Sequence, residues 1–136
     1  MIGLDTNIMV RLILADDLAQ TKRASSAIQR ALTAGETVVL GLAVVLELEW
    51  ILRSSAKLDK AQILLVFRQL LEAHDVQIEN EQVLEQAIYA YENSSADFGE
   101  CLFWAHYQRM GCRAMLTFDA KAARMSGVEL VGRADA

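Results

Sequence analysis

Five carboxylates in this chain have the type and setting to do chemistry together. Asp5 ends the opening apolar run MIGLD, and Asp119 comes directly after a second apolar run, AMLTF. Glu47 sits among apolar neighbours in VVLELEW, and Asp97 and Glu100 lie three apart in ADFGECLFWA. Hard oxygen donors with no histidine or cysteine beside them select Mg²⁺ or Mn²⁺ over zinc. A divalent cation held this way suits phosphodiester hydrolysis, because it engages the phosphate, acidifies a water and steadies the leaving oxygen.

Each acid also has a plainer reading. Asp5 and Asp119 follow apolar runs and can cap the helices that come next, since Asp is a common turn and N-cap residue. A carboxylate inside an apolar helix is costly to bury unless a cation or hydrogen bonds compensate it, which draws attention to Glu47. Glu49, two residues on, lies on a different face, so only one of the two is expected at a site. Glu47 is preferred because it borders the face carrying Val44 and Ile51. The alternative places both on a solvated face. Asp97 can be the acid of a capping box begun by Ser94, and Glu100 a solvated charge. Three apart on a helix, Asp97 and Glu100 share a face and repel mildly, and a cation would relieve that.

Other chemistries fit less well. Cys101 and His106, five apart, do not share a helical face, which argues against a nucleophile and base pair. His74 and His106 are the only histidines. A phosphotransferase that begins with an apolar strand ending in Asp needs a second acid two residues later, where this chain has Asn7.

The elements that must position these acids alternate. Met1–Asp5 reads as a buried strand, and residues 7–14 as a short helix. Asp16 and Asp17 can cap a helix to about Leu32, closed by Gly35. Thr37–Leu40 is a second strand, followed by apolar residues at helical spacing from Val44 to Leu52. Ile63 to Leu71 continue that spacing in a helix that Asp59 can cap. Val76–Ile78 reads as a strand, and two helices follow around Val83–Tyr91 and Phe98–Ala105, the second ended by Gly111. Ala114–Thr117 and Val128–Val131 are strands flanking a short helix near Ala120–Met125. Apolar strands alternating with helices indicate an α/β domain with a mainly parallel sheet of about five strands. Ligands in such folds sit beyond the carboxyl ends of strands, which places Asp5 and Asp119 at one edge on adjacent strands.

Composition sets the frame. The chain has 136 residues, 54% hydrophobic and 23% charged, so a single folded domain over residues 1–136 is expected. Its net charge of −5 argues against a general nucleic-acid coat but not against a carboxylate metal site, whose cation reverses the local sign. No apolar stretch is long enough to span a bilayer, and no signal peptide is visible. Two cysteines suggest neither a disulfide framework nor a zinc clip, so a reducing, cytoplasmic setting is expected.

LDTN at the start, ELEW followed by ILR, ADFGECLFWA, and TFDAKAAR near the end resemble the ordered acidic motifs of PIN-domain proteins. In detail and length, from Met1 to about Val131, the chain is similar to the VapC toxins of bacterial VapBC toxin–antitoxin pairs. The resemblance implies a three-layer α/β/α fold and Mg²⁺- or Mn²⁺-dependent endoribonuclease activity on RNA. It also implies frequent homodimers and inhibition by a cognate VapB-like antitoxin. The family acids map onto Asp5, Glu47 and Asp119. The third acid is usually an Asp followed by a small residue and a Leu-Ile-Ala run. Glu100 stands there instead, and Asp97 matches an additional acid often found one turn earlier. Which of that pair is the essential ligand stays open. Asn7 and Thr117 match polar positions that orient the acids. The rival expectation is a catalytically degenerate PIN-like module that binds RNA or supports assembly. Trp50, Phe67 and Trp104 in so small a chain point to a symmetric homodimer formed partly through helices around residues 43–71.

Overall fold

A computed structural model describes residues 1–132, and the last four residues of the expected 1–136 domain lie outside it. The chain divides into two compact units, Met1–Glu81 and Gln82–Ala136.

Unit 1 runs β1 (Ile2–Gly3), α1 (Thr6–Leu14), α2 (Leu18–Thr33), β2 (Val38–Leu40), α3 (Leu42–Ser54), α4 (Lys60–Glu72) and β3 (Gln77–Ile78). The three strands form one parallel sheet with β2 in the centre, in the register Gly3 to Val39 and Leu40 to Ile78. Parallel strands cannot be joined by a tight turn. Here each crossover is a pair of helices, α1–α2 and then α3–α4, and each pair packs together. The core of the unit is Val38 and Leu40 from the sheet with Val45, Leu48, Leu52, Ile63 and Phe67 from α3 and α4, all essentially sealed from solvent. Val38 and Leu40 being buried on the central strand is the arrangement expected when helices cover a parallel sheet.

Local signals set the helix ends. The Asp17 carboxylate accepts from the Gln20 amide and starts α2. Asp59 and Gln62 form a reciprocal capping box at the start of α4, each bond 2.9 Å. Gly35, at φ +79°, takes the left-handed turn after α2 that a side chain resists. The N-cap of α3 is Gly41, which has no side chain to cap with. Glu79, next after β3, supplies the acceptor instead, its Oε1 lying 2.8 Å from the Leu42 amide.

Unit 2 holds α5, which begins at Glu81 and runs to Asn93, then α6 (Phe98–Met110), β4 (Met115–Thr117), a 3₁₀ turn (Ala122–Arg124) and β5 (Val128–Leu130). Strands β4 and β5 pair in parallel, Met115 with Val128 and Thr117 with Leu130. Tyr91 and Phe98 meet edge to face at 5.5 Å and tie the end of α5 to the start of α6. Gly111 at φ +86° closes α6.

The mixed α/β class, the parallel pairing and the order of elements match the sequence expectation. The sheet does not. Five strands are present, but among the described residues they form ladders of three and of two, so β1 and β4 are not hydrogen-bonded neighbours. The physical reason is length. Strands of two or three residues contribute few ladder bonds each, and a ladder that short ends where its partner ends.

One consequence concerns α3. Because its first amides rely on Glu79, Glu79→Ala is expected to cost about 1 kcal/mol, in the range of losing an N-cap side chain. Urea denaturation of the two proteins checks this, and an unchanged midpoint would show that the cap contributes nothing.

Candidate active site

In unit 1, the parallel register aligns the residues that follow β1, β2 and β3, so Asp5, Gly41 and Glu79 leave the sheet at the same carboxyl edge. The Leu4 amide still bonds to the Val39 carbonyl at 3.0 Å, and the chain then turns at Asp5 into α1. Asp5 is exposed and is the N-cap residue of α1. Its Oδ1 accepts from the Thr6 amide at 2.7 Å, the cap anticipated for it. Asn7 is exposed on the first turn of the same helix. Capping uses one carboxylate oxygen and leaves the other uncommitted to the cap, so it is compatible with a ligand role and does not replace one.

Glu47 and Glu49 divide as their spacing requires, but with burial reversed. Glu47 is exposed. Glu49 is 3% exposed and bonded through Oε2 to the Arg53 Nε at 2.9 Å. The reading of both as solvated is therefore corrected, and the buried carboxylate of this helix is Glu49. Its compensation comes from within the helix, by an arginine one turn on. Glu47, the preferred acid, keeps its carboxylate at the surface, where a ligand can reach it.

In unit 2, Asp97 is the N-cap residue of α6, one position before the helix, not a residue within it. Ser94 does not begin a capping box. Its Oγ accepts from the Ala96 amide at 3.3 Å, and the Asp97 carboxylate makes no capping bond to the helix. Asp97 thus holds a capping position without capping. Glu100, in the first turn of α6, is half-buried instead of solvated. Its Oε2 is sealed from water with no hydrogen-bond partner among the described residues.

Asp119 follows β4. Its amide donates to the Thr117 Oγ1 at 3.0 Å, and its Oδ1 accepts from the amides of Lys121 (2.7 Å) and Ala122 (3.1 Å). Thr117 therefore shapes the turn that presents Asp119, as its flanking position suggested. The carboxyl groups of Glu100 and Asp119 lie within hydrogen-bonding reach of each other. Two ionised carboxylates offer only acceptors, so that contact needs a proton or a cation between them.

The pair is electrostatically unequal. Burial, then the charges of Asp119 and Asp97, then the bond to Asp119 raise the Glu100 pKa above the ordinary carboxylate value. The Ala122 and Lys121 amides lower that of Asp119, which outweighs the small opposing effect of burial. Asp119 is held as an anion, whereas Glu100 is an anion only at a cost.

The sequence profile of the PIN domain matches residues 2–128, the greater part of the chain and residues of both units. The chain belongs to the PIN domain family. No curated protein and no solved structure gives a match. PIN domains are generally nucleases and typically use divalent metals, which is the chemistry that the exposed and half-buried oxygens of this PIN domain fit. Among the described residues no three His, Cys, Asp or Glu side chains are drawn together into a metal cage. The fit to a cation rests instead on the orphaned Glu100 oxygen and on the charge of the nearby Asp119 carboxylate.

Reasoning from sequence missed Glu79, although the signal that drew attention to Asp5 and Asp119, an acid directly after an apolar strand, applies to it equally. In this PIN domain its carboxylate is committed to the α3 amide.

The charge imbalance sets a pH dependence. The native Glu100 holds its proton more tightly than the unfolded chain does. Its favourable contribution is therefore present below the ordinary glutamate pKa and lost as pH rises through the raised value. Glu100→Gln should accordingly raise the melting temperature of the metal-free protein at pH 7 and change it little at pH 4. Asp119 works in the opposite sense, its contribution present at neutral pH and lost on acidification. Thermal melts in chelator across this range check both. A melting temperature lowered by Glu100→Gln at pH 7 would contradict the unpaired-charge reading.

Proposed function

We propose that this PIN domain is a Mg²⁺- or Mn²⁺-dependent endoribonuclease, with Asp5, Glu47, Asp97, Glu100 and Asp119 as its acid set. Asn7 and Thr117 orient that set. The observation that carries the reading is the Glu100–Asp119 carboxyl pair, in which one Glu100 oxygen is buried with no hydrogen-bond partner among the described residues. When bound, a divalent cation would neutralise that pair, draw in the scissile phosphate and make a water acidic enough to attack. Asp119, kept ionised by its turn amides, is the ready ligand. Glu100 would have to be deprotonated to serve as a ligand, which would couple metal binding to pH. Asp97 adds negative charge beside Glu100 with its carboxylate uncommitted to the helix.

The finer reading follows the resemblance. The protein is taken as the toxin of a VapBC-type pair, with residues 1–136 as one functional domain, restrained by a VapB-like antitoxin and working as a homodimer in the cytoplasm. Supporting this, Trp50 on α3 and Leu65 on α4 are 58% and 57% exposed, on the two helices expected at the dimer interface. Cys101 and Cys112 are free thiols, in keeping with a reducing compartment. None of the described helices is long and apolar enough to cross a membrane. The second reading, a degenerate PIN module that binds RNA or scaffolds an assembly, draws on the lack of a closed acid cage among the described residues. Against it stands the stability cost of Glu100, which a scaffold has no use for.

Cleavage decides between them. With water as the nucleophile and no histidine pair to activate a ribose 2′-oxygen, the products should carry a 5′-phosphate and a 3′-hydroxyl. Asp5→Asn should abolish cleavage and leave the thermal melt near wild type, with Asp119→Asn equal or somewhat milder. Of Asp97→Asn and Glu100→Gln, the true ligand should lose far more activity. Mn²⁺ should stabilise the wild type by about 2.7 kcal/mol at one hundred times its Kd, and the ligand variants by much less. A 2′,3′-cyclic product, or full activity of Asp5→Asn in excess chelator, would overturn the assignment.

A further inference from the structure

The chain carries a net charge of −5, yet four of its 13 lysines and arginines line one cleft of about 860 Å³ in unit 1. The cleft lies along α1 and α2. Arg11, Lys22, Arg23 and Arg30 bring the charge, and Asn7 and Ser26 are among its polar lining residues. Among the described residues no acid lines it. Of the two acids between α1 and α2, Asp17 accepts from the Gln20 amide, and Asp16 pairs with the Arg11 guanidinium at 2.8 Å, so Lys22, Arg23 and Arg30 carry the cleft's net positive charge.

The layout is regular. Lys22, Ser26 and Arg30 succeed one another every four residues on α2, so they form a row on adjacent turns, about 6 Å apart along the helix. Lys22, Arg23 and Arg30 are exposed. The walls are fixed by the α1–α2 packing, where the Thr21 hydroxyl donates to the Arg11 carbonyl at 2.9 Å. Asn7, two residues from Asp5, is one of the residues that line it.

We propose that this cleft is the track for the RNA strand, with Lys22, Arg23 and Arg30 binding successive phosphates on the way to Asp5. The assignment deepens the ribonuclease reading and rests on it for the identity of the polyanion. Cations spread along one helix, with a serine between Lys22 and Arg30, suit a ligand whose charge repeats along its length. A protein segment is the weaker candidate, because an interface needs large apolar or aromatic anchors and the largest apolar side chain in the cleft is Ile8. The row also answers how an acidic protein attracts an acidic substrate, which is by local concentration of charge.

The test uses the full chain and a labelled single-stranded RNA oligonucleotide, with binding measured in chelator so that nothing is cut. Lys22→Gln, Arg23→Gln and Arg30→Gln combined should weaken binding about tenfold or more. They should also flatten the salt dependence by about 2 units of log–log slope, at roughly 0.7 for each phosphate that is no longer neutralised. Gln is a good helix former, so α2 should persist, which circular dichroism checks. Arg109→Gln, on α6 and outside the cleft, should change the slope by far less than Arg23→Gln. An unchanged slope and affinity in the folded triple variant would overturn the proposal, as would displacement of the RNA by polyglutamate at equal charge concentration. Wild-type protein that binds RNA yet never cuts it would defeat the ribonuclease reading alone, and the cation dependence of binding would still decide the cleft.

Discussion

A carboxyl group held partly out of water beside another carboxylate is unstable as an anion, and unit 2 is arranged around that instability at Glu100. Backbone amides soften it without removing it. The first turn of α6 presents unsatisfied N–H groups and the positive end of the helix dipole, and Asp97 and Glu100 both sit there. The turn after β4 aims two amides at Asp119. The amides are spent unevenly. Asp119 receives direct hydrogen bonds, Asp97 occupies the cap position without one, and Glu100 is left with an oxygen that touches neither water nor a donor. Uneven compensation is what a cation site requires before the cation is present, because full satisfaction by protein donors would leave no affinity to gain.

Unit 1 solves a different problem, that of holding polar residues at the edge of a very small sheet. Strands of two and three residues are stabilised less by their ladder than by the side chains beneath them. Val38 and Leu40 are buried against helices whose apolar faces continue into Leu48, Leu52 and Phe67. The parallel register then delivers three chain exits to one edge without further design. At that edge Glu79 is spent on structure, stabilising a helix whose own cap is a glycine. Asp5 caps through one oxygen and keeps carboxylate character. Acids in equivalent positions therefore each give one oxygen to a backbone amide, Asp5 to the helix it begins and Glu79 to α3, a helix distant in sequence.

These distinctions mark how far the sequence could be read. Period and cap chemistry located the helices well, because Asp17, Asp59 and Gly111 act over three or four residues and depend on nothing distant. The acids themselves were legible as positions. What they do was not, since it depends on which oxygen meets which amide. Spacing separated Glu47 from Glu49, but the arginine that makes burial of Glu49 tolerable was not weighed, although Arg53 stands four residues on in the sequence. Asp97 read as a helical residue because helix starts are ambiguous by a position, and that position decides whether it shares a face with Glu100 or caps the helix. Continuity of the sheet was beyond reach, because ladder pairing among very short strands is set by tertiary packing and not by their own residues.

The charge distribution joins these threads. A uniformly basic surface would bind any polyanion and hold it out of register, whereas a net negative charge repels nucleic acid from most of the surface. Against that background, a basic cleft without an acidic side chain among its described lining residues becomes the favoured approach, and its selectivity comes from contrast and not from strength. The acid set then has a double effect. It disfavours phosphate, and a bound cation would reverse that, so on the proposed reading substrate entry and metal loading would be coupled by electrostatics. Screening weakens long-range attraction along an exposed row of cations much more than it weakens the bonds between a bound cation and its ligands. On the proposed reading, capture of a strand and chemistry on it would therefore respond differently to ionic strength, which would separate the work of the exposed arginines from that of the half-buried glutamate.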